Sequence, residues 1–536
     1  MRTFPYITPC LLIAFFLTSF HLRAQYRVIP DTLFEEALIE LGIDSDSTIN
    51  GRVLNDDIVD VIELDVREKG IIDLTGIEGF EKLRVLNGER NKIKNLDLSA
   101  NKDLAELYCS SNPLSNIDLT QNCKLRILHF GGTEFDSLDL TGNQMLQEMK
   151  LSRSSELVHV DLSNQKSLKF IWLRGVDNLD SLDFSSCDSL ETLFFLGDYM
   201  DTFSVSQNRL LKNLYFTGFF MSTIDLSNNP ELEELRCSNN ELTHLDLSHN
   251  KRLKLLDCSD HKYDYGLFNH IRELDLSENH RLEEVYCVDV GLERLNINGC
   301  YSLKKLYCGL NPLEELDVSH NTQLETLSSV NCTLEKIDLT KNLNLSEVYL
   351  LNGYNHVGYE YGFKNNFSEI DLSQCPKLRN LGLSNNGKLE YLQIQNGNND
   401  SLELNILECD SLACIIVDDS SDIPDRWKYE PVSQFYESED DCQLVTSEES
   451  ADVTGEFDIS IYPNPASDKL YLDFDCPEDV EVSVFVPTGE VVMKKTLSEN
   501  RSVIPLDEFS EGVYYILVRI NKDVMTRKLI VAKSSS

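Results

Sequence analysis

The chain has 536 residues, 41% of them apolar, which is enough to bury a sizeable core. Its 90 acidic against 48 basic residues give a formal net charge of −42, which argues against a nucleic-acid or anionic-membrane partner, since both need a basic surface. Cationic ligands suit the sign better, although surplus carboxylates also serve solubility alone.

Residues 1–24 have the layout of a signal peptide: Met1-Arg2, an apolar run from Pro9 to Phe20, and Ala24 before Gln25. That run is too short to span a bilayer, and no later stretch approaches about 18 apolar residues, so no transmembrane segment is expected in the mature chain. Residues 25–59 read as an N-terminal cap, with a helix predicted over 31–43, Asp31 as its N-cap and Gly42 as its stop. Asp44-Ser45-Asp46-Ser47-Thr48 has part of the spacing of a calcium loop, but Ile49 stands where glycine is required, so a plain acidic turn is expected.

A repeat then dominates residues 60–417. One signature is Leu245-Asp246-Leu247-Ser248-His249-Asn250, whose central position recurs at Asp97, Asp118, Asp139, Asp161, Asp183, Ser204, Asp225, Asp246, Asp275, Asn296, Asp317, Asp338, Asp371 and Gln393. The spacing is 21 or 22 residues, broken by 29 before Asp275 and 33 before Asp371. A second signature alternates with it: Leu232-Glu233-Glu234-Leu235-Arg236-Cys237-Ser238-Asn239-Asn240-Glu241-Leu242 matches L-x-x-L-x-L-x-x-N-x-L with Cys in one apolar place. In this pattern the chain resembles leucine-rich-repeat proteins. The resemblance implies a mainly β solenoid, with some fourteen coils stacked at about 4.8 Å each. Physically, one 21-residue unit cannot bury its leucines alone, and stacking along a parallel ladder buries them.

The Asn of each signature is placed to satisfy backbone groups where the chain leaves the strand. Cys187, Cys300, Cys332, Cys375 and Cys409 replace it, a small side chain that still donates, while Cys109, Cys237, Cys258, Cys287 and Cys308 take an inward apolar place. Repeat register thus accounts for these cysteines without a disulfide framework, and none has zinc spacing. Cys414, Cys442 and Cys476 are unassigned, and a pair among them is open.

The leucine period vanishes over 418–457, where DDSSDIPD, ESEDD and TSEESAD read as an acidic linker. Residues 458–536 change to short alternating strands that predict a small antiparallel β-sandwich. Their landmarks are Tyr462-Pro463-Asn464-Pro465, Gly512-Val513-Tyr514-Tyr515 and Lys528-Leu529-Ile530-Val531. Together these look like the C-terminal sorting domain of proteins exported by the type IX secretion system of Gram-negative bacteria. The resemblance implies an export address read by the secretion machinery, with Tyr462, Pro463, Asn464, Pro465, Gly512, Val513, Tyr514 and Lys528 as its signal. It also implies a surface sortase that removes the domain, leaving the protein secreted or attached to the outer cell surface.

Side chains between the inward places of the second signature face outward from the strand. Down the coils they are Tyr108, His129, Lys150, Trp172, Phe194, Tyr215, Arg236, Asp257, Tyr286, Tyr307, Ser328, Tyr349 and Gly382, seven of thirteen aromatic against 9% in the whole chain. Such a ladder fits recognition of an extracellular protein or carbohydrate, or else the ordinary strand preference of aromatic residues. The two long spacings carry related insertions around Tyr263 and Tyr265 and around Tyr359 and Tyr361, candidate binding loops on one edge. The outward Asp ladder raises the question of calcium, but a straight file of carboxylates does not converge on an ion, and no metal site is expected.

No G-x-S-x-G, H-E-x-x-H or phosphate loop occurs, and the carboxylates recur with the structural period instead of as one converging pair. The expectation is therefore a binding or adhesion protein without enzyme activity or cofactor. The rivals are a passive structural surface protein and, behind it, a hydrolase with an unrecognised site.

Overall fold

The computed structural model describes residues 25–531 except 180–181, 201, 261–266, 354–361, 430–433, 441, 443–458, 463–465, 467–468, 475–479, 487–490, 498–500, 507–508, 511 and 521–522. The fold is mainly β, a solenoid of about seventeen turns with few helices and small antiparallel sheets at the C-terminal end. The expected fourteen coils fell short because the outermost turns carry degenerate signatures, such as Asp73-Leu74-Thr75. The chain divides into two compact units, residues 1–161 and 162–536.

In the first unit, a helix spans Thr32–Glu40. Its N-cap is Asp31, which accepts from the backbone of Leu33 at 2.9 Å and Phe34 at 3.2 Å, as the sequence predicts. The second Asp31 oxygen accepts from Ile72 at 2.7 Å and Asp73 at 3.0 Å, tying the cap to the first turn. Burial works against the Asp31 carboxylate, but these four N–H donors outweigh it and hold its pKa below the ordinary value. Buried Glu35 accepts from the backbone of Asn50, Gly51 and Arg52 at 2.9–3.1 Å and so ties the start of strand Arg52–Leu54 to the helix. Short parallel strands follow at Glu63–Asp65, Val85–Asn87, Glu106–Tyr108, Ile127–Gly131 and Glu148–Ser152, one per turn.

In the second unit the same pattern runs from Phe170–Arg174 to Glu403–Asn405. Leu235 shows why these residues make such strands. It pairs in register with Leu214 on one side and Leu256 on the other, all three fully buried, while its neighbours Glu234 and Arg236 are half-exposed. Each such leucine contributes roughly 1.5–3 kcal/mol.

Asparagines close most of the described turns. Asn250 Nδ2 donates to the carbonyls of Leu226 at 3.0 Å and Asn229 at 2.9 Å. Where cysteine stands instead, the thiol donates in the amide's place, Cys300 Sγ to Leu276 O at 3.3 Å and Cys409 Sγ to Leu383 O at 3.2 Å.

The expectation of a linker beginning at 418 needs correcting for part of its length. Strand Phe435–Tyr436 pairs with Cys414–Ile416, and Trp427 is 5% exposed with its indole N–H on Leu402 O at 2.9 Å. Cys414 and Cys442 form a disulfide, the pair left open by the sequence. The described residues between 418 and 442 thus contribute a closing turn, in which Cys442 and Tyr436 pack with Cys414 and Ile416 and Trp427 meets Phe435.

The C-terminal residues form a three-stranded and a four-stranded antiparallel sheet. The first holds Ile459–Tyr462, Lys469–Phe474 and Arg501–Pro505, and the second Val480–Phe485, Val491–Leu497, Gly512–Ile520 and Asp523–Val531. Leu470, Leu472 and Ile504 share one core with Val482, Val484, Ile516, Val518 and Leu529, which makes the expected sandwich. Among the described residues no helix is long and apolar enough to cross a membrane.

Candidate binding face

The outward column forms as the strand period requires. In the first unit Tyr108, His129 and Lys150 are register partners on successive strands. In the second unit Trp172 pairs with Phe194, Phe194 with Tyr215, Tyr286 with Tyr307, and Tyr349 with Gly382. All seven aromatic members are half-buried.

Register sets the ring geometry. Phe194 and Tyr215 stack with centroids 4.1 Å apart and planes 5° apart, and Tyr286 and Tyr307 at 5.0 Å and 11°. Tyr108 meets His129 edge-on at 4.8 Å. A Cβ at Gly382 would lie 3.1 Å from Leu351 Cδ2 and 3.2 Å from Tyr349 Cδ1, so a larger residue there would need both side chains to shift by a few tenths of an ångström. Arg236 sits over Tyr215 at 5.8 Å and pairs with Asp257 at 3.2 Å, dividing the two stacks.

A second column of carboxylates lies two residues upstream. Tyr108 donates to Glu106 Oε2 and Tyr286 to Glu284 Oε2, each at 2.8 Å, and Tyr215 donates to Glu234. Burial first, then these carboxylates, raise the tyrosine pKa values, that of Tyr215 to about 12, so the hydroxyls stay protonated donors. His129 Nε2 contacts Glu148 at 2.9 Å, yet burial lowers its pKa.

A third column escaped sequence reasoning although its signal is plain at the same spacing. Lys169, Glu191, Lys212, Glu233, Lys254, Glu283, Lys304 and Glu325 alternate in sign. Lys212 pairs with Glu191 at 2.6 Å, Lys254 with Glu233 at 2.7 Å and Lys304 with Glu283 at 2.7 Å.

The Asp ladder on the other signature has a local explanation. Asp118 accepts from Thr120 Oγ1 at 2.7 Å and its backbone N–H at 2.9 Å, and Asp225 accepts likewise from Ser227. The hydroxyls, then the amides, lower these pKa values and stabilise the charged form against its neighbours. Among the described residues no three ligating side chains converge on a metal position.

Tyr263, Tyr265, Tyr359 and Tyr361 lie outside the described residues, as do Pro463, Asn464 and Pro465. Tyr462 stacks on Tyr471 at 5.7 Å. Tyr514 is buried against Phe509 and donates to Ser510 O at 3.0 Å. Gly512 and Val513 begin the strand paired with Asp523–Val531, where Lys528 is the register partner of Tyr515.

Comparison with known proteins bears on the fold and on the C-terminal domain. Residues 460–532 match the family model of the secretion system C-terminal sorting domain. A functional domain of InlJ from Listeria monocytogenes, described as including a cysteine ladder, is 21% identical with a TM-score of 0.59, covering 95% of this chain and 99% of that one. The internalin InlF of the same organism is 18% identical with a TM-score of 0.48, covering 68% of this chain and 95% of its own. No protein of curated function matches the sequence. The chain is a solenoid of leucine-rich-repeat type carrying a type IX secretion C-terminal sorting domain, and that domain implies secretion and attachment at the cell surface.

Proposed function

We propose that the protein is an exported, non-enzymatic binding or adhesion protein whose strand face recognises an extracellular protein or glycan. The observation that carries the reading is the in-register series Trp172, Phe194 and Tyr215, three large half-buried aromatic side chains on adjacent strands. Rings held in this way present contact area at little entropic cost, the property that makes aromatic residues binding hot spots. Changing all three to Ser is expected to abolish binding to target cells and to protein or glycan arrays while the far-ultraviolet spectrum stays unchanged. Unaltered binding would remove the column from consideration.

The second reading, a passive surface spacer, draws on the same stacks, because Phe194 and Tyr215 cover one another's faces as strand neighbours do for stability alone. It predicts that arrays find no partner for the wild-type protein. Export rests on the sorting domain: a truncation from Ile459 onward should accumulate in the periplasm, and its normal release would refute that role.

A further inference from the structure

In the second unit the alternating charge column runs unbroken from Lys169 to Glu325 and then fails. After Lys304, which is held by Glu283 at 2.7 Å, the next member is Glu325, and the series then calls for a cation. Ser346 stands there, and Arg379 follows only in the turn after. Among the described residues no hydrogen bond or ion pair engages the side chains of Glu325, Glu347 or Arg379, although Glu325 lies within electrostatic reach of Lys304 and Lys305 and raises their pKa values. Glu325, Glu347 and Arg379, with Ser346, Lys377 and Asn380, line a groove of about 700 Å3.

The backbone spacing of Glu325 and Arg379 follows from the sheet. Strands Thr326–Ser328, Glu347–Tyr349 and Asn380–Gly382 pair in that order, so Glu325 and Arg379 precede strands two apart, about 9.6 Å between backbones. An extended peptide rises about 3.3 Å per residue, so three residues separate an α-amine from an α-carboxylate by about 10 Å. Lys377 is anchored to Asn344 Oδ1 at 2.7 Å and adds positive charge to the groove. The uncharged Ser346 and Asn380 leave the middle open to peptide groups.

We propose that this groove binds a short zwitterionic peptide of about three residues, its ammonium against Glu325 and Glu347 and its carboxylate against Arg379. Both ends are charge-assisted contacts, and the guanidinium offers a bidentate fork to the carboxylate. The site is separate from the aromatic column and does not depend on its role.

Calorimetric titration of the mature full-length chain with triglycine tests the proposal, using N-acetyl-triglycine amide as the uncharged control. Saturable binding is expected for triglycine, at least tenfold weaker for the blocked peptide and at least tenfold weaker in Arg379→Gln and in Glu325→Gln. Arg379→Lys, which keeps the charge, should stay within about threefold of wild type and so separates loss of charge from loss of fold. Arg84→Gln, in the same column of the first unit, should change nothing. No saturable heat with triglycine, equal affinity for the blocked peptide, or wild-type affinity in both Gln variants would overturn it.

Discussion

Asp260 accepts a 2.7 Å hydrogen bond from the backbone amide of Asn269, nine residues further along the chain. Its other oxygen takes the amide of Asn239 at 3.0 Å. Asn352 does the same for Asn365, also at 2.7 Å. Each of these side chains joins the two ends of an insertion, and Asn269 and Asn365 then resume the asparagine file by donating to Cys237 O and Ser329 O. The repeat therefore tolerates extra residues between its last inward position and its closing asparagine, provided that a side-chain acceptor clamps the ends.

The clamp at Asp260 is a carboxyl where its counterpart is an amide, and that difference predicts a pH dependence. Burial pushes the Asp260 carboxyl up to about 8 against the opposing pull of the two amides, with Asp289 adding a small repulsion. Because the folded pKa lies above the unfolded value, the folded state keeps a proton that the unfolded chain has lost. Its stabilising contribution is complete below about pH 4 and is lost as pH rises through about 8, at no more than about 1.4 kcal/mol per pH unit. Asp260→Asn should flatten that slope, leaving the variant less stable than wild type near pH 5, where one amide loses its acceptor, and closer to it at pH 9. Urea midpoints across this range check it, and an unchanged slope would show that Asp260 is already ionised in the fold.

Much of this architecture could be read directly from residue spacing. The inward leucines and the outward aromatic column follow from periods of two and of one coil, and the Asp31 cap from the preference of a short acceptor side chain for a helix start, all of them local rules that need no knowledge of the rest. Other features needed the folded chain. The ends joined by Asp260 and Asn352 are invisible as a pattern because each clamp is one polar residue beside an irregular insertion. The closing turn around Trp427 hid in an acidic segment, since its apolar residues come singly and without a period. The groove at Ser346 is legible only as the one missing cation in a column that has to be aligned coil by coil.

Thiol reactivity follows from the same register. Of the free cysteines among the described residues, Cys123 is exposed and the other ten are buried. Burial, with some help from Asp275, pushes the Cys300 thiol up to about 12, and burial also raises Cys237, Cys287 and Cys308 well above the ordinary thiol value, so their thiolate fraction at neutral pH is negligible. Iodoacetamide applied to the native protein should alkylate Cys123 at least a hundredfold faster than these four, as read by peptide mass spectrometry. Comparable labelling of Cys287 would mean that the column opens to solvent.

The disulfide predicts a local effect. Cys414 and Cys442 are 28 residues apart, and a loop of that size is worth about 3.6 kcal/mol in the chain-entropy model. Cys442→Ser should loosen the closing turn before it unfolds the solenoid. Hydrogen exchange at the Ile415 amide, which donates to Gln434 O at 3.0 Å, should speed up more than tenfold while exchange at Leu235 stays unchanged. Equal acceleration at both places would mean that the closing turn and the central coils unfold together.

The asparagine file supplies the most direct test of how the coil is closed. Asn250 satisfies two buried carbonyls, Leu226 O and Asn229 O, whereas Cys300 at the equivalent place reaches one, Leu276 O, through its thiol. Alanine at 250 leaves both carbonyls unsatisfied and a small void, a loss of about 2–4 kcal/mol. Cysteine restores one donor and fills part of the space, so Asn250→Cys should recover about half of that loss. Aspartate, which has the same shape but no donor and carries a charge, should be worse than alanine because it points an anion at two carbonyl oxygens. The order Asn, Cys, Ala, Asp in urea midpoint is the expected result, and an aspartate variant as stable as the cysteine variant would show that donation to the carbonyls is not what holds the turn.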